Sequence, residues 1–312
     1  MIKIEKPGTH KKGLKVLVYG DTGVGKTIFA LSFPKSLALD TEDGYEWYEN
    51  TDKAKNLVGI ARSQSFDDLS DLLDQLDSDN EEFDTFIIDS ETKIYENIQE
   101  ALLDVEERRA RKKRRDELDA NISQRSWGKI KQLALRLQNA KLRLASDGVN
   151  VVSVAQSADV MENAGETMVK VGEKPDMHKK AKYDYDVKLR LFTKDGKYFA
   201  EVDKDRTDTF KKGEIIENPS YDNWKDKVEG KDNQGDVVKV DYTQSMEKSK
   251  KAYEAEVKTN MTFEERIQEH VTGLDKEAQQ EFINQMVAIA GTKKIKEMSA
   301  EAKQEILEKL VA

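Results

Sequence analysis

Apolar residues enter this chain in short, dense runs separated by polar loops, and the texture of the runs changes along its length. Residues 14–19 (LKVLVY) are apolar and β-branched and end at Gly20; a glycine-bearing loop follows, and residues 28–33 suit the first turns of a helix. The opening segment therefore reads as strand, loop, helix. Residues 37–40 (LALD) and 57–61 (LVGIA) predict further strands, and residues 66–76 repeat apolar positions at helical spacing. Residues 86–89 (FIID) and 149–155 (VNVVSVA) are apolar on consecutive positions, as strands covered by helices on both faces of a parallel sheet must be. Between them, residues 94–144 are long, charged and helix-forming, with Trp127, Ile130, Leu133, Leu135 and Leu137 supplying an apolar face.

From residue 183 to 210 the pattern alternates, and Asp195-Gly196 stands between two strand candidates where a hairpin turn belongs, which predicts an antiparallel edge to the sheet. Residues 211–245 are polar, rich in Gly, Asn and Asp, and include Pro219. Beyond them the chain is helical: Thr262 and Glu265 have capping-box spacing, and Phe282, Ile283, Met286, Val287 and Ile289 form a face that needs a partner. The expected organisation is a basic lead over 1–12, an α/β core over 13–218, a polar linker over 219–245 and a helical region over 246–312.

Charge and composition narrow the chemistry. With 61 acidic against 52 basic residues the net charge is −9, so any affinity for a polyphosphate must come from a local basic patch. The absence of cysteine removes disulfides, thiolate zinc sites and thiol nucleophiles. His10, His178 and His270 share no ligand spacing. The N-terminal stretch lacks the apolar run of a signal peptide, and no run of about eighteen apolar residues suggests a membrane span; the expectation is a soluble, cytoplasmic protein.

Gly20-Asp21-Thr22-Gly23-Val24-Gly25-Lys26-Thr27 fits G-x-x-x-x-G-K-[ST] between a strand and a helix. In such a loop backbone N–H groups turn toward a polyphosphate, Lys26 offers a positive charge to the β and γ phosphates of ATP, and the Thr27 hydroxyl can coordinate Mg²⁺. A second Mg²⁺-side carboxylate is needed at the end of a buried strand. Asp89, followed by Ser90, stands there, although a strand-terminal cap is the plainer reading of an apolar run ending in Asp. Within Asp40-Thr41-Glu42, Glu42 is the candidate to activate water, against the alternative of a solvated acidic turn. Gln156, directly after a buried run, is placed to sense the γ phosphate.

Taken in order, these residues resemble the RecA-like ATPase core over about residues 12–215, most closely the short phage-encoded members of the Sak annealing and recombination type. The resemblance implies a mainly parallel sheet flanked by helices with an antiparallel edge hairpin. It also implies that Glu42 activates water, that Asp89-Ser90 closes the metal-side strand and that Gln156 is the polar sensor. It further makes Lys204-Asp205-Arg206 a late-strand cation pair reaching the γ phosphate of a neighbouring subunit, so that the ATP sites of a homo-oligomer lie between subunits. The C-terminal helical region has no counterpart in the resemblance.

Arg108, Arg109, Arg111, Lys112, Lys113, Arg114 and Arg115 put seven cations into eight positions, flanked by acids that can pair with them at helical spacing. The cluster is either a DNA-binding patch or a solvated charged helix or protein contact. Trp127 nearby reads as core or as a base-stacking aromatic. The leading expectation is an ATPase that binds single-stranded DNA and promotes annealing or strand exchange as an oligomer. The alternative is a nucleotide-switched adaptor or helicase loader whose C-terminal helices hold a single-strand-binding or replication protein. A P-loop kinase acting on a small molecule is the third reading.

Overall fold

The computed structural model describes residues 10–76, 83–165, 167–230, 233–235 and 242–310. Strand β1 (Lys15–Gly20) is apolar on both faces and lies at the centre of the sheet, parallel to β5 (Asn150–Ala164) on one side and β7 (Val187–Lys194) on the other. Beyond β5 come β4 (Thr85–Asp89), β2 (Ser36–Asp40) and β3 (Leu57–Arg62), all parallel, so the order across the sheet begins β3-β2-β4-β5-β1-β7. The other side is closed by the antiparallel strands β8 (Lys197–Asp205) and β9 (Ile215–Glu217). Asp195 and Gly196, with φ of 51° and 74°, make the expected turn between β7 and β8.

Register decides function here. Asp40 pairs with Asp89 across β2 and β4, and Gly20 pairs with Gln156 across β1 and β5, so four strands deliver these residues to one carboxyl edge. Helix α1 (Lys26–Leu31) covers one face with Phe29, Ala30 and Leu31. Helices α2 (Phe66–Leu76), α3 (Glu91–Lys112) and α4 (Gln124–Ser146) cover the other, where Leu69, Leu73, Ile94, Ile98, Ile130 and Leu137 pack on Phe86 and Ile88. The fold class expected from the sequence is the one observed: a mostly parallel sheet flanked by helices, with an antiparallel hairpin edge and C-terminal helices.

Four features depart from the sequence reading. Strand β5 does not stop near Ala155 but runs to Ala164 and pairs with β6 (Thr167–Pro175), forming a two-stranded arm that leaves the parallel sheet after Gln156. The arm exposes Met161, Met168, Val169 and Val171, so no buried face marks it in the sequence. The long helical stretch is two antiparallel helices: Glu91 lies beside Gln138 and Lys141, whereas Glu106 lies beside Ser123 and Ser126. On α4, Ile130 and Leu137 are buried, but Trp127 and Leu135 face solvent, which corrects both the apolar face and the core reading of Trp127. Part of the stretch expected as a polar linker is core: Tyr221 and Trp224 pack with Phe29 and Phe33, and the Trp224 indole donates to Asp205 at 3.0 Å.

The chain divides into two units, Met1–Val240 and Asp241–Ala312. The second contains α5 (Tyr242–Asn260), α6 (Phe263–Thr272), α7 (Lys276–Ala290) and α8 (Ala300–Leu310). Its own core joins Ile267, Phe282, Met286, Met298 and Ile306, and Thr262 and Glu265 form the expected capping box. Among the described residues no helix is long and apolar enough to cross a membrane.

Behind the carboxyl edge lies a buried ion pair. Lys141 donates to Glu91 at 2.6 Å, both side chains at most 4% exposed, and the Tyr185 hydroxyl accepts from Lys141 and donates to Glu91 at 2.9 Å. Removing one partner strands the other charge out of water, so Lys141→Ala is expected to cost about 3–5 kcal/mol in urea unfolding. Replacing Lys141 and Glu91 together by Met and Leu should recover most of that loss.

Candidate nucleotide site

The loop from Gly20 to Thr27 owes its path to two glycines. A Cβ on Gly20 would stand 2.4 Å from the Leu191 carbonyl oxygen, and Gly25 holds φ 88° at the cap of α1 with the Tyr198 ring 3.1 Å from where its Cβ would be. Lys26 folds back over the loop, donating to the carbonyls of Gly20 at 3.0 Å and Asp21 at 2.6 Å. Burial pulls its ammonium below the ordinary lysine value, while the carboxylates of Asp89, Glu42 and Asp21 oppose the shift. Asp21 also turns the loop locally by accepting from the Thr22 N–H.

Thr27 donates to Asp89 at 2.8 Å, which brings together the two residues expected to hold Mg²⁺. A hydroxyl and a buried carboxylate at the mouth of a phosphate loop are the hard oxygen donors that Mg²⁺ takes alongside phosphate oxygens, so this pair suits the ion. Asp89 is pushed up to about 6, chiefly by burial, with Glu42 and Asp40 adding to the rise and Thr27 and Lys26 working against it. The Asp89–Ser90 peptide is cis.

Glu42 is the exposed counterpart of this buried acid. Its Oε1 accepts from the Ser90 hydroxyl at 2.6 Å and from the Gln156 amide at 3.0 Å, so residues following β2 and β4 and one within β5 meet at one oxygen. Asp40 does different work. It accepts from the N–H groups of Glu42, Gly44 and Tyr45, which fixes the backbone of the turn carrying Glu42, although Glu42, Asp43 and Gly44 are themselves exposed to solvent.

Lys204 and Arg206 lie elsewhere. Gly20 pairs with Leu191 and Leu191 with Ala200, whereas Val16 pairs with Val187 and Val187 with Asp205. The pair therefore stands at the amino edge of the central strands, opposite its own phosphate loop. There Lys204 donates to the carbonyls of Tyr183 and Tyr185, and Arg206 stays 57% exposed, 3.7 Å from Asp186. The basic cluster closes α3, about 30 Å along the helix from Ser90 at 1.5 Å per residue. All seven cations are exposed, and Arg108, Arg109 and Arg111 pair with Asp104, Glu106 and Glu117.

Sequence reasoning missed three residues. Thr92, fully buried, accepts from the Gln156 N–H at 2.9 Å and donates to the Asp176 carbonyl at 2.7 Å, pinning both roots of the β5–β6 arm to the first turn of α3. Tyr198 lays its ring against Gly25. Tyr45 is buried beside Asp89. Only Thr92 had a local signal, its closeness to Asp89-Ser90; the other two reach the site through tertiary packing.

A glycine loop whose lysine and threonine face a buried strand-end acid defines a P-loop nucleotide-binding core. The AAA domain family matches residues 12–212, and the chain belongs to that family. Among solved structures, the crystal structure of the RadB recombinase is similar at 16% identity and a TM-score of 0.42, covering 67% of this chain and 87% of that one. No curated protein matches the chain.

Because Asp89 holds its proton more firmly in the folded chain than in the unfolded one, its burial costs stability as pH rises from about 4 to about 6. Asp89→Asn is expected to make the nucleotide-free protein more stable at pH 7, with the gain shrinking to nothing as pH falls below about 4 in denaturant titrations. A variant less stable than the parent at pH 7 would contradict the placement of this acid.

Proposed function

We propose that this chain binds and hydrolyses ATP with Mg²⁺ and couples turnover to single-stranded DNA in a RecA-like recombination reaction, working as a homo-oligomer. The observation that carries the reading is the junction at Glu42 Oε1, held by Ser90 from the metal-side strand and by Gln156 from the strand that continues into the arm. Thr27 and Asp89 would hold the ion, which when bound neutralises charge on the phosphates. Glu42, exposed and oriented by two donors, is placed to orient and deprotonate water. Gln156, on whose amide Glu42 depends, ties any displacement at this carboxylate to the arm that starts at the next residue.

The transferring phosphoryl group develops charge that a second cation would stabilise. Arg206, exposed at the sheet edge opposite its own phosphate loop, would meet a phosphate in the site of another copy. This supports ATP sites shared between subunits and makes hydrolysis depend on assembly. The cations at the end of α3 are the patch that suits a phosphate backbone: all seven are exposed, and the acids paired with Arg108, Arg109 and Arg111 hold them only by surface ion pairs, while Lys112, Lys113, Arg114 and Arg115 extend the positive surface. A nucleotide-switched adaptor or helicase loader is the second reading, favoured by the separate core of the C-terminal helices, which could hold a replication or single-strand-binding protein.

Lys26→Ala is expected to abolish ATP binding, whereas Glu42→Gln should keep it and lower kcat by about 10²-fold or more. Equal turnover in parent and Glu42→Gln would remove Glu42 from the chemistry. Arg206→Ala should be inactive alone yet regain activity when mixed with Lys26→Ala, because each supplies what the other lacks; no recovery in mixed oligomers would argue against shared sites. Replacing Lys112, Lys113, Arg114 and Arg115 by Gln should weaken single-stranded DNA binding and flatten its salt dependence by roughly 0.7 per lost phosphate contact. Unchanged affinity at low salt would assign the cluster to solvent.

A further inference from the structure

Strand β5 belongs to two ladders, and the change from one to the other falls at Gln156. That residue pairs with Gly20 in the parallel sheet, and the next, Ser157, opens the antiparallel arm opposite Pro175. One step closer to the root stand Gln156 and Asp176. An antiparallel ladder joins such a pair either by two reciprocal bonds or by none. Here one of the two is made directly, from the Asp176 N–H to the Gln156 carbonyl at 2.8 Å. The other is relayed: the Gln156 N–H donates to the Thr92 hydroxyl at 2.9 Å, and that hydroxyl donates to the Asp176 carbonyl at 2.7 Å. A fully buried helix side chain thus takes a place in the β ladder as both acceptor and donor. Valine would match its shape but leave the N–H and the carbonyl without that partner.

The same turn of α3 governs both donors to Glu42. Ser90, the N-cap of the helix, donates its hydroxyl to Glu42 Oε1, and Thr92, two residues on, holds the backbone of Gln156, whose side-chain amide donates to the same oxygen. The two donors come from different strands, and a hydrogen bond weakens steeply when its donor is turned away, so their convergence on one oxygen needs a common reference. We infer that Thr92 is a positioning residue for Glu42: its hydroxyl sets Gln156 against Ser90 and is the joint through which a shift of the β5–β6 arm reaches the carboxylate. The inference rests on the reading of Glu42 as the group that activates water. Thr92 touches neither nucleotide nor water in this role; it acts through Gln156.

The test uses the full-length protein. Steady-state ATP turnover of Thr92→Val should show kcat lowered about tenfold, the worth of roughly one hydrogen bond to a carboxylate, with KM unchanged. Thr92→Ser, which keeps the hydroxyl, should match the parent, and Thr92→Ala, which puts no methyl where the hydroxyl stood, should repeat the valine pattern even if valine disturbs folding. Because Thr92 acts through Gln156, adding Thr92→Val to Gln156→Ala should cost nothing further, whereas two independent structural losses would multiply. Without nucleotide, amide hydrogen exchange over residues 156–164 and 167–176 should quicken about tenfold in Thr92→Val, with β1 and β4 unchanged. Parent-like kcat in both Thr92→Val and Thr92→Ala, multiplied losses in the double variant, or exchange in the arm no faster than the parent's would each overturn the inference. A Glu42→Gln variant as active as the parent would instead overturn the role of Glu42, and this inference with it.

Discussion

A single hydrogen bond from Thr27 to Asp89 joins parts of the chain that are not neighbours in the sheet. Thr27 follows the loop after β1, Asp89 ends β4, and β5 runs between those strands. The bond can form only if three parallel strands are in register to within one residue, since a slip of one would turn Asp89 to the other face. The rest of the site inherits that constraint. Asp40 reaches the same edge because β2 pairs with β4, and Gln156 reaches it because β5 pairs with β1. A candidate site drawn from four separated stretches is thus the product of apolar strand packing, with the polar residues carried along at the carboxyl edge.

The parts of this arrangement that are local in the chain are legible without coordinates. The phosphate loop is a contiguous pattern between a strand and a helix, and Asp89 and Gln156 each follow directly on an apolar run whose burial is written in consecutive residues. The turn at Asp195-Gly196 has the same directness. The arm formed by β5 and β6 was not legible, because its exposed Met and Val positions lack the one-sided alternation that marks a half-buried strand. The two helices α3 and α4 merge in the sequence for a related reason: the residues between them are as charged as the helices themselves. Trp224 shows the opposite difficulty, an aromatic in a polar stretch that reads as a linker until the Phe29 and Phe210 rings are seen to pack on it. Tyr198 meets the loop, and Tyr45 the Asp89 side of the site, only through folding, and no spacing rule reaches them.

The site also depends on polar groups that never see the nucleotide. Thr92 holds the arm to the first turn of α3, and Glu91, the preceding residue, anchors that turn to α4 and to Tyr185 through Lys141. Three consecutive side chains, Ser90, Glu91 and Thr92, therefore point to Glu42, to α4 and to the arm respectively. An apolar segment here would pack as well but could not fix three directions at once, because only directional bonds specify orientation.

The three tryptophans differ sharply in surroundings: Trp224 is sealed in the core, Trp127 is partly open on α4, and Trp47, five residues after Glu42, is 85% exposed. The indole fluorescence of this protein is therefore a sum of one emitter shielded from solvent, one intermediate and one bathed in water beside the carboxylate turn. A dissolved quencher such as iodide would silence the last first, leaving the turn after β2 with an optical reporter that requires no added dye.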